Sequence, residues 1–183
     1  MKISIKNRAE RSLVIYVNGF SLQDEAQFFG EYLVRNDFTV AGFSYGAQQA
    51  FEYVYATEER VDRLILLSPA FFQTRKPSFI RTQLHYFQNG QEAYVRQFLV
   101  NVAYPSKADL SSCLNTGTYD ELEALLTYQW DAGKIKEVMD RGTAIEVFLG
   151  AEDKIIDVDA AFEFFADCTT AYLIKDTGHL LQD

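Results

Sequence analysis

The chain has 183 residues, enough for one domain of ordinary size built on a single core. Hydrophobic residues make up 48% and charged residues 23%, which excludes a disordered, collagen-like or low-complexity chain. Seventeen Lys and Arg against 26 Asp and Glu leave a net charge of −9, a poor footprint for nucleic acid or an anionic lipid surface. No apolar run reaches the roughly 18 residues a membrane span needs, and Met1 to Ser12 is polar, so the expected location is the cytoplasm. Cys113 and Cys168, like His85 and His179, have neither metal-ligand nor disulfide spacing. The expectation is a reducing compartment with no metal or cofactor.

Along the chain, residues 12–17 form a β-branched apolar run that stops at Asn18-Gly19, a strand ending in a tight turn. Ser21 with Asp24 three residues later reads as a capping box for a helix carrying Leu22, Ala26, Phe29 and Leu33 on one face. Residues 38–41 form a second strand, broken at Gly42. Ala47, Ala50, Phe51, Val54 and Tyr55 then recur at helical spacing. A third strand covers 64–67 and ends at Ser68-Pro69. This alternation predicts a mainly parallel α/β sheet flanked by helices on both faces. From about 70 to 142 the periodicities are helical and no strand stands out, so this interval is expected to form an all-helical cap or lid inserted into a single domain spanning 1–183. Within it, Thr118 and Glu121 form a further capping box before Leu122, Leu125 and Leu126. Strand signal returns at 143–149, a helix at 159–166 and a last strand at 171–174.

Gly42-Phe43-Ser44-Tyr45-Gly46 is a G-x-S-x-G motif between a predicted strand and a predicted helix, the setting in which a sharp turn lifts a serine hydroxyl clear of the sheet edge. A nucleophilic serine needs a base and a group that orients the base. Asp153 follows the strand that ends at Leu149, and His179 follows the final strand, giving the order serine, acid, histidine. Glu152 and Asp157 are rival acids; Asp153 has the better offset from its strand. For the oxyanion, the Tyr45 N–H is one expected backbone donor, and Phe20 N–H in the loop after the first strand is the candidate for the second. Between Phe71 and Lys107, the bases Arg75, Lys76, Arg81, Arg96 and Lys107 face one acid, Glu92, for a local charge of +4 against −13 elsewhere. Such a block is either a solvated helical face or a docking surface for an anionic partner.

These residues resemble the α/β-hydrolase superfamily. More narrowly, the chain is similar to short bacterial pimeloyl-acyl-carrier-protein methyl ester esterases of the BioV type. The likeness runs through Gly19-Phe-Ser21, Gly42 to Ala47, Leu67-Ser-Pro69, Arg81 to Gln88, Tyr119 to Leu126, Ile145 to Gly150 and His179 to Gln182. It implies an abbreviated α/β-hydrolase fold, with Ser44 as nucleophile, Asp153 as acid and His179 as base. The reaction it implies is hydrolysis of the distal methyl ester of a pimeloyl chain on acyl carrier protein, in biotin synthesis. Arg75, Lys76, Arg81 and Arg96 would then hold the acidic carrier, and Phe71, Phe72, Tyr86 and Phe87 are candidates for an acyl channel. Many superfamily members have His-Gly where this chain has Asn18-Gly19. Only 26 residues separate Asn18 from Ser44, so the front of the sheet must be short. The rival expectations are a general carboxylesterase or acyl-carrier thioesterase using the same triad and, in another class, a non-catalytic hydrolase-like module that binds an acidic partner.

Overall fold

The computed structural model describes residues 15–33 and 38–183; the first residues of the expected 12–17 strand lie outside that range. Five parallel strands, β1 (Ile15–Val17), β2 (Thr39–Phe43), β3 (Arg63–Leu67), β4 (Ala144–Gly150) and β5 (Thr170–Ile174), lie side by side in chain order. The registers Val17↔Gly42, Phe43↔Leu67, Leu67↔Phe148 and Gly150↔Ile174 bring their carboxyl ends to one edge. Alternation along β3 sends Leu64 and Leu66 to one face and Ile65 and Leu67 to the other, and all four are fully buried.

The two faces are covered differently. Val40, Leu64, Leu66, Ile145 and Val147 pack against α1 (Tyr45–Ala56), α4 (Ala132–Asp140) and α5 (Val158–Cys168), through residues such as Phe51, Ile135 and Phe165. On the opposite face, Ala41, Phe43, Ile65 and Leu67 meet Phe29, Val102, Leu110, Cys113, Leu180 and Leu181. These come from a 3-10 turn (Glu25–Phe29), the end of α2 (Pro77–Ala103), a second 3-10 turn (Ser111–Cys113) and the segment beyond β5. The expected helical layer therefore covers one face, and turns with apolar side chains bury most of the other.

The helix expected from Ser21 onward is replaced by the five-residue 3-10 turn. Asp24 is left-handed at φ 57° and makes no capping bond, and Ser21, at φ 58°, spends its hydroxyl accepting from the Gly117 N–H at 3.0 Å. The second capping box forms as expected. Glu121 N–H donates to Thr118 Oγ1 at 3.2 Å and Thr118 N–H to Glu121 Oε2 at 2.8 Å, starting α3 (Tyr119–Thr127).

The helical interval divides by packing. Helix α2, bent at Gly90, lies against α3, whereas α4 lies against α1 and α5 in the layer on the sheet. Residues of α2 and α3, and none of α4, line the cavity that Ser44 shares at the end of β2.

Candidate active site

Ser44 sits between β2 and α1 with φ 54° and ψ −114°, a strained conformation for a residue with a side chain. The flanking glycines are required by close approach. A Cβ on Gly42 would strike the Gly46 carbonyl and lie 2.8 Å from Ala47 Cα, and a Cβ on Gly46 would strike the carbonyls of Val17 and Asn18. The turn is then fixed by Ser44 N–H donating to Leu67 O at 2.9 Å, while Ser44 O accepts from Ala47 N–H and Ala70 N–H, each at 3.1 Å.

Ser44 Oγ lies 2.9 Å from His179 Nε2, and His179 Nδ1 lies 2.6 Å from Asp153 Oδ2. The side chains of His179 and Asp153 are completely buried. With a carboxylate on Nδ1, that nitrogen carries the proton and Nε2 accepts from the serine hydroxyl. Asp153 is oriented in turn: its Oδ1 accepts from Ile155 N–H at 2.7 Å and Ile156 N–H at 3.2 Å. The histidine loop is anchored by backbone packing. A Cβ on Gly178 would collide with the Tyr104 carbonyl at the end of α2, and Leu180 N–H donates to Val102 O at 3.2 Å. Phe43 covers the imidazole, with ring centroids 5.1 Å apart.

The rival acids stand elsewhere. Glu152 is exposed, and Asp157 caps α5 by accepting from Ala160 N–H at 3.4 Å. His85 is exposed on α2 beside Asn89.

The N–H groups of Phe20 and Tyr45 have no protein acceptor among the described residues. The Phe20 ring is held from the cap, 6.0 Å from Phe87 and 5.7 Å from Phe98. Behind this loop lies a carboxyl group that sequence reasoning does not single out. Glu25 is fully buried, its Oε1 accepting from Gly19 N–H at 2.7 Å and from the Tyr16 hydroxyl at 3.2 Å.

Burial pushes the Glu25 carboxyl above its ordinary value of 4.5, outweighing the Gly19 hydrogen bond that pulls it down. A raised carboxyl binds more protons folded than unfolded, so its contribution to stability falls as pH rises upward from the ordinary carboxylate range. Glu25→Gln has no such proton to lose. Its Tm relative to wild type should therefore climb as pH rises above the ordinary value of 4.5, and a difference that does not change with pH would contradict the buried carboxyl.

Ser44 opens into a cavity of about 360 Å³, within the range of small-molecule sites. Phe72, Phe79 and Phe98 line it with Leu122, Leu125 and Leu126 of α3; Gln83, Gln97 and Asn101 add polar groups. Burial pushes the Tyr94 phenol up to about 12, so it stays protonated and donates to Gln83 Oε1 at 3.0 Å. Of the channel candidates, Phe72 and Tyr86 line the cavity. Phe71 instead packs on Phe164 and Phe165, and Phe87 packs between Phe20 and Tyr94.

The four basic candidates do not form one patch. Arg75 lines the cavity with its guanidinium 5.4 Å from the Phe79 ring centroid, and its Nε is buried without a partner. Lys76 and Arg81 are exposed near the start of α2. Arg96 is paired with Glu92 at 2.7 Å and faces a separate groove beside residues 106–116. A further cation lines the Ser44 cavity: Lys154, its Nζ over the Tyr104 ring. Adjacency to Asp153 was its one signal in the sequence.

No protein-family model and no curated protein sequence matches the chain. Solved structures do. The chain superimposes on BioG from Haemophilus influenzae with a TM-score of 0.62 at 14% identity, covering 98% of this chain and 94% of that one. The fold is the α/β-hydrolase fold. MenH from S. aureus gives a TM-score of 0.57 at 15% identity over 96% of this chain and 89% of that one. Carboxylesterase CesB (YbfK) from Bacillus subtilis gives 0.51 at 19% identity over 78% of this chain and 53% of that one, so the chain spans about half of that neighbour's length. Among the described residues, no helix is long and apolar enough to cross a membrane.

Proposed function

We propose that the protein is a serine carboxylesterase that hydrolyses the methyl ester of pimeloyl-[acyl-carrier protein] to the free acid and methanol, in biotin synthesis. The observation that carries the hydrolase reading is the hydrogen-bonded series Ser44 Oγ, His179, Asp153, with contacts of 2.9 and 2.6 Å among buried side chains. The substrate rests on the sequence resemblance and is supported by an aromatic cavity with Arg75 and Lys154 in its walls.

In the first stage His179 Nε2 takes the Ser44 proton while Oγ attacks the ester carbonyl carbon. The Tyr45 and Phe20 N–H groups receive the oxyanion. The tetrahedral species collapses by breaking the bond to the methoxy oxygen, which leaves as methanol with the proton from His179. Water, deprotonated by the same nitrogen, then attacks the acyl-serine. The second collapse breaks the bond to Ser44 Oγ, which takes back the proton from His179, and releases the carboxylic acid, which loses its proton to solvent.

The substrate's thioester, nearer the carrier, survives because docking sets how far the arm reaches. Incubating the purified protein with pimeloyl-carrier methyl ester should release methanol and no carrier thiol. Release of thiol would instead establish the thioesterase alternative, and release of neither would end the proposed reaction.

Carrier docking gives a further expectation. Arg81 is exposed and is not among the residues lining the Ser44 cavity, so Arg81→Glu should raise KM for the carrier-bound ester by about tenfold with little change for a small soluble ester. Equal effects on both substrates would defeat docking through this residue.

A further inference from the structure

The loop after β1 must aim the Phe20 N–H at the reacting carbonyl, and its chain geometry shows how that aim is set. Gly19 O accepts from Leu22 N–H at 3.2 Å. In a planar trans peptide the carbonyl and the following N–H point in opposite directions, so fixing Gly19 O toward Leu22 turns the Phe20 N–H away from that bond. Gly19 itself is held on its other side, by its N–H donating to Glu25 Oε1 at 2.7 Å. A side chain at Gly19 would lie 2.8 Å from the Phe43 ring, which closes off sideways relief. Among the described residues, Glu25 is therefore the one side chain bonded to the backbone of this turn at the residue before the donor.

We propose that Glu25 is a positioning residue for the oxyanion hole, holding Gly19 so that the Phe20 N–H is presented to the tetrahedral intermediate. Its placement is hard to explain as packing. The carboxyl is fully buried, its Oε2 has no partner among the described residues, and an apolar side chain at that position would avoid the desolvation cost. Among the described residues its Oε1 accepts from the Gly19 N–H and the Tyr16 hydroxyl. The tie comes from the 3-10 turn that stands where the sequence pattern suggests a regular helix, and that turn carries Glu25 back toward the loop. This assignment rests on the serine-esterase reading.

The test uses the full chain, p-nitrophenyl butyrate as substrate and an aryl boronic acid as a mimic of the tetrahedral intermediate. Glu25→Gln keeps an acceptor oxygen at the same reach and should retain kcat within about threefold. Glu25→Ala removes the acceptor, and Glu25→Asp withdraws it by one methylene. Both should lose about 10- to 100-fold in kcat, below the roughly 10²–10³ seen when an oxyanion donor is removed outright. KM should stay within about twofold, and boronic acid affinity should fall in step with kcat.

Should Glu25→Ala fail to fold, the contrast between the Asp and Gln variants decides. A folded Ala or Asp variant with wild-type kcat, or a Gln variant as impaired as Asp, would overturn the assignment while leaving the esterase reading intact. An inert wild type would end both.

Discussion

Ser44→Ala should lower kcat for ester hydrolysis by about 10⁴-fold or more, with KM for the same ester changed little. The size follows from what remains. Alanine removes the nucleophile and the proton that His179 would accept, while the cavity and the backbone donors are left in place, so only binding and oxyanion stabilisation persist. Folding should not suffer. Among the described residues Ser44 Oγ bonds only to His179, and the strained backbone at φ 54° is imposed by contacts of Gly42 and Gly46 that the substitution leaves alone. Steady-state kinetics and a melting curve on the two proteins check both statements. A variant with even a tenth of wild-type activity would place the chemistry elsewhere.

The second large effect is expected from Asp153→Asn, a loss of about 10⁴ in kcat without loss of fold. Oδ1 of this residue is gripped by two backbone N–H groups, from Ile155 and Ile156. In the asparagine variant the amide oxygen must occupy that place, since its NH2 cannot accept, and the NH2 is turned toward His179 Nδ1. Nδ1 then has to accept, which leaves the proton on Nε2, facing Ser44, so the histidine cannot act as base. The same reasoning separates this residue from its neighbours. Glu152→Gln should change kcat little because Glu152 is exposed, and Asp157→Asn should retain a capping side chain. Steady-state kcat of the three variants on one soluble ester reads the difference directly. A drop for Glu152→Gln comparable to that for Asp153→Asn would contradict the assignment.

Much of the site was legible because its signals are local. The turn at Ser44 is spelled by two glycines whose neighbours leave no space for a Cβ, and Asp153 and His179 each lie just beyond the end of a strand in the parallel sheet. The Thr118 to Glu121 cap is likewise contained within four residues. The Ser21 to Asp24 box has the same spelling and fails, because the hydroxyl of Ser21 is taken by Gly117, 96 positions away. Charge counting grouped Arg96 with Arg75, yet Gly90 breaks α2 between them and Arg96 faces another groove. Glu25 drew no reading from the sequence; closure over the 3-10 turn buries it where its Oε1 meets the Gly19 N–H. Pattern reading finds residues whose role is set by their own turn and misses those whose role is set by a distant backbone group.

Helix α2 links these parts. Its middle supplies the rings of Phe87 and Phe98 that hold Phe20, and its end supplies the Tyr104 and Val102 carbonyls that support the His179 loop. Helix α2 thus contacts both the loop that carries Phe20 and the loop that carries His179, in addition to walling the cavity.

The central claim, that Ser44 is a nucleophile activated by His179 and Asp153, is tested most directly by treating the protein with a fluorophosphonate and locating the adduct by peptide mass spectrometry. The account predicts a single adduct on Ser44 in wild type, labelling slowed by orders of magnitude in His179→Ala, and none in Ser44→Ala. An unlabelled wild type, or an adduct that persists in Ser44→Ala, would contradict it.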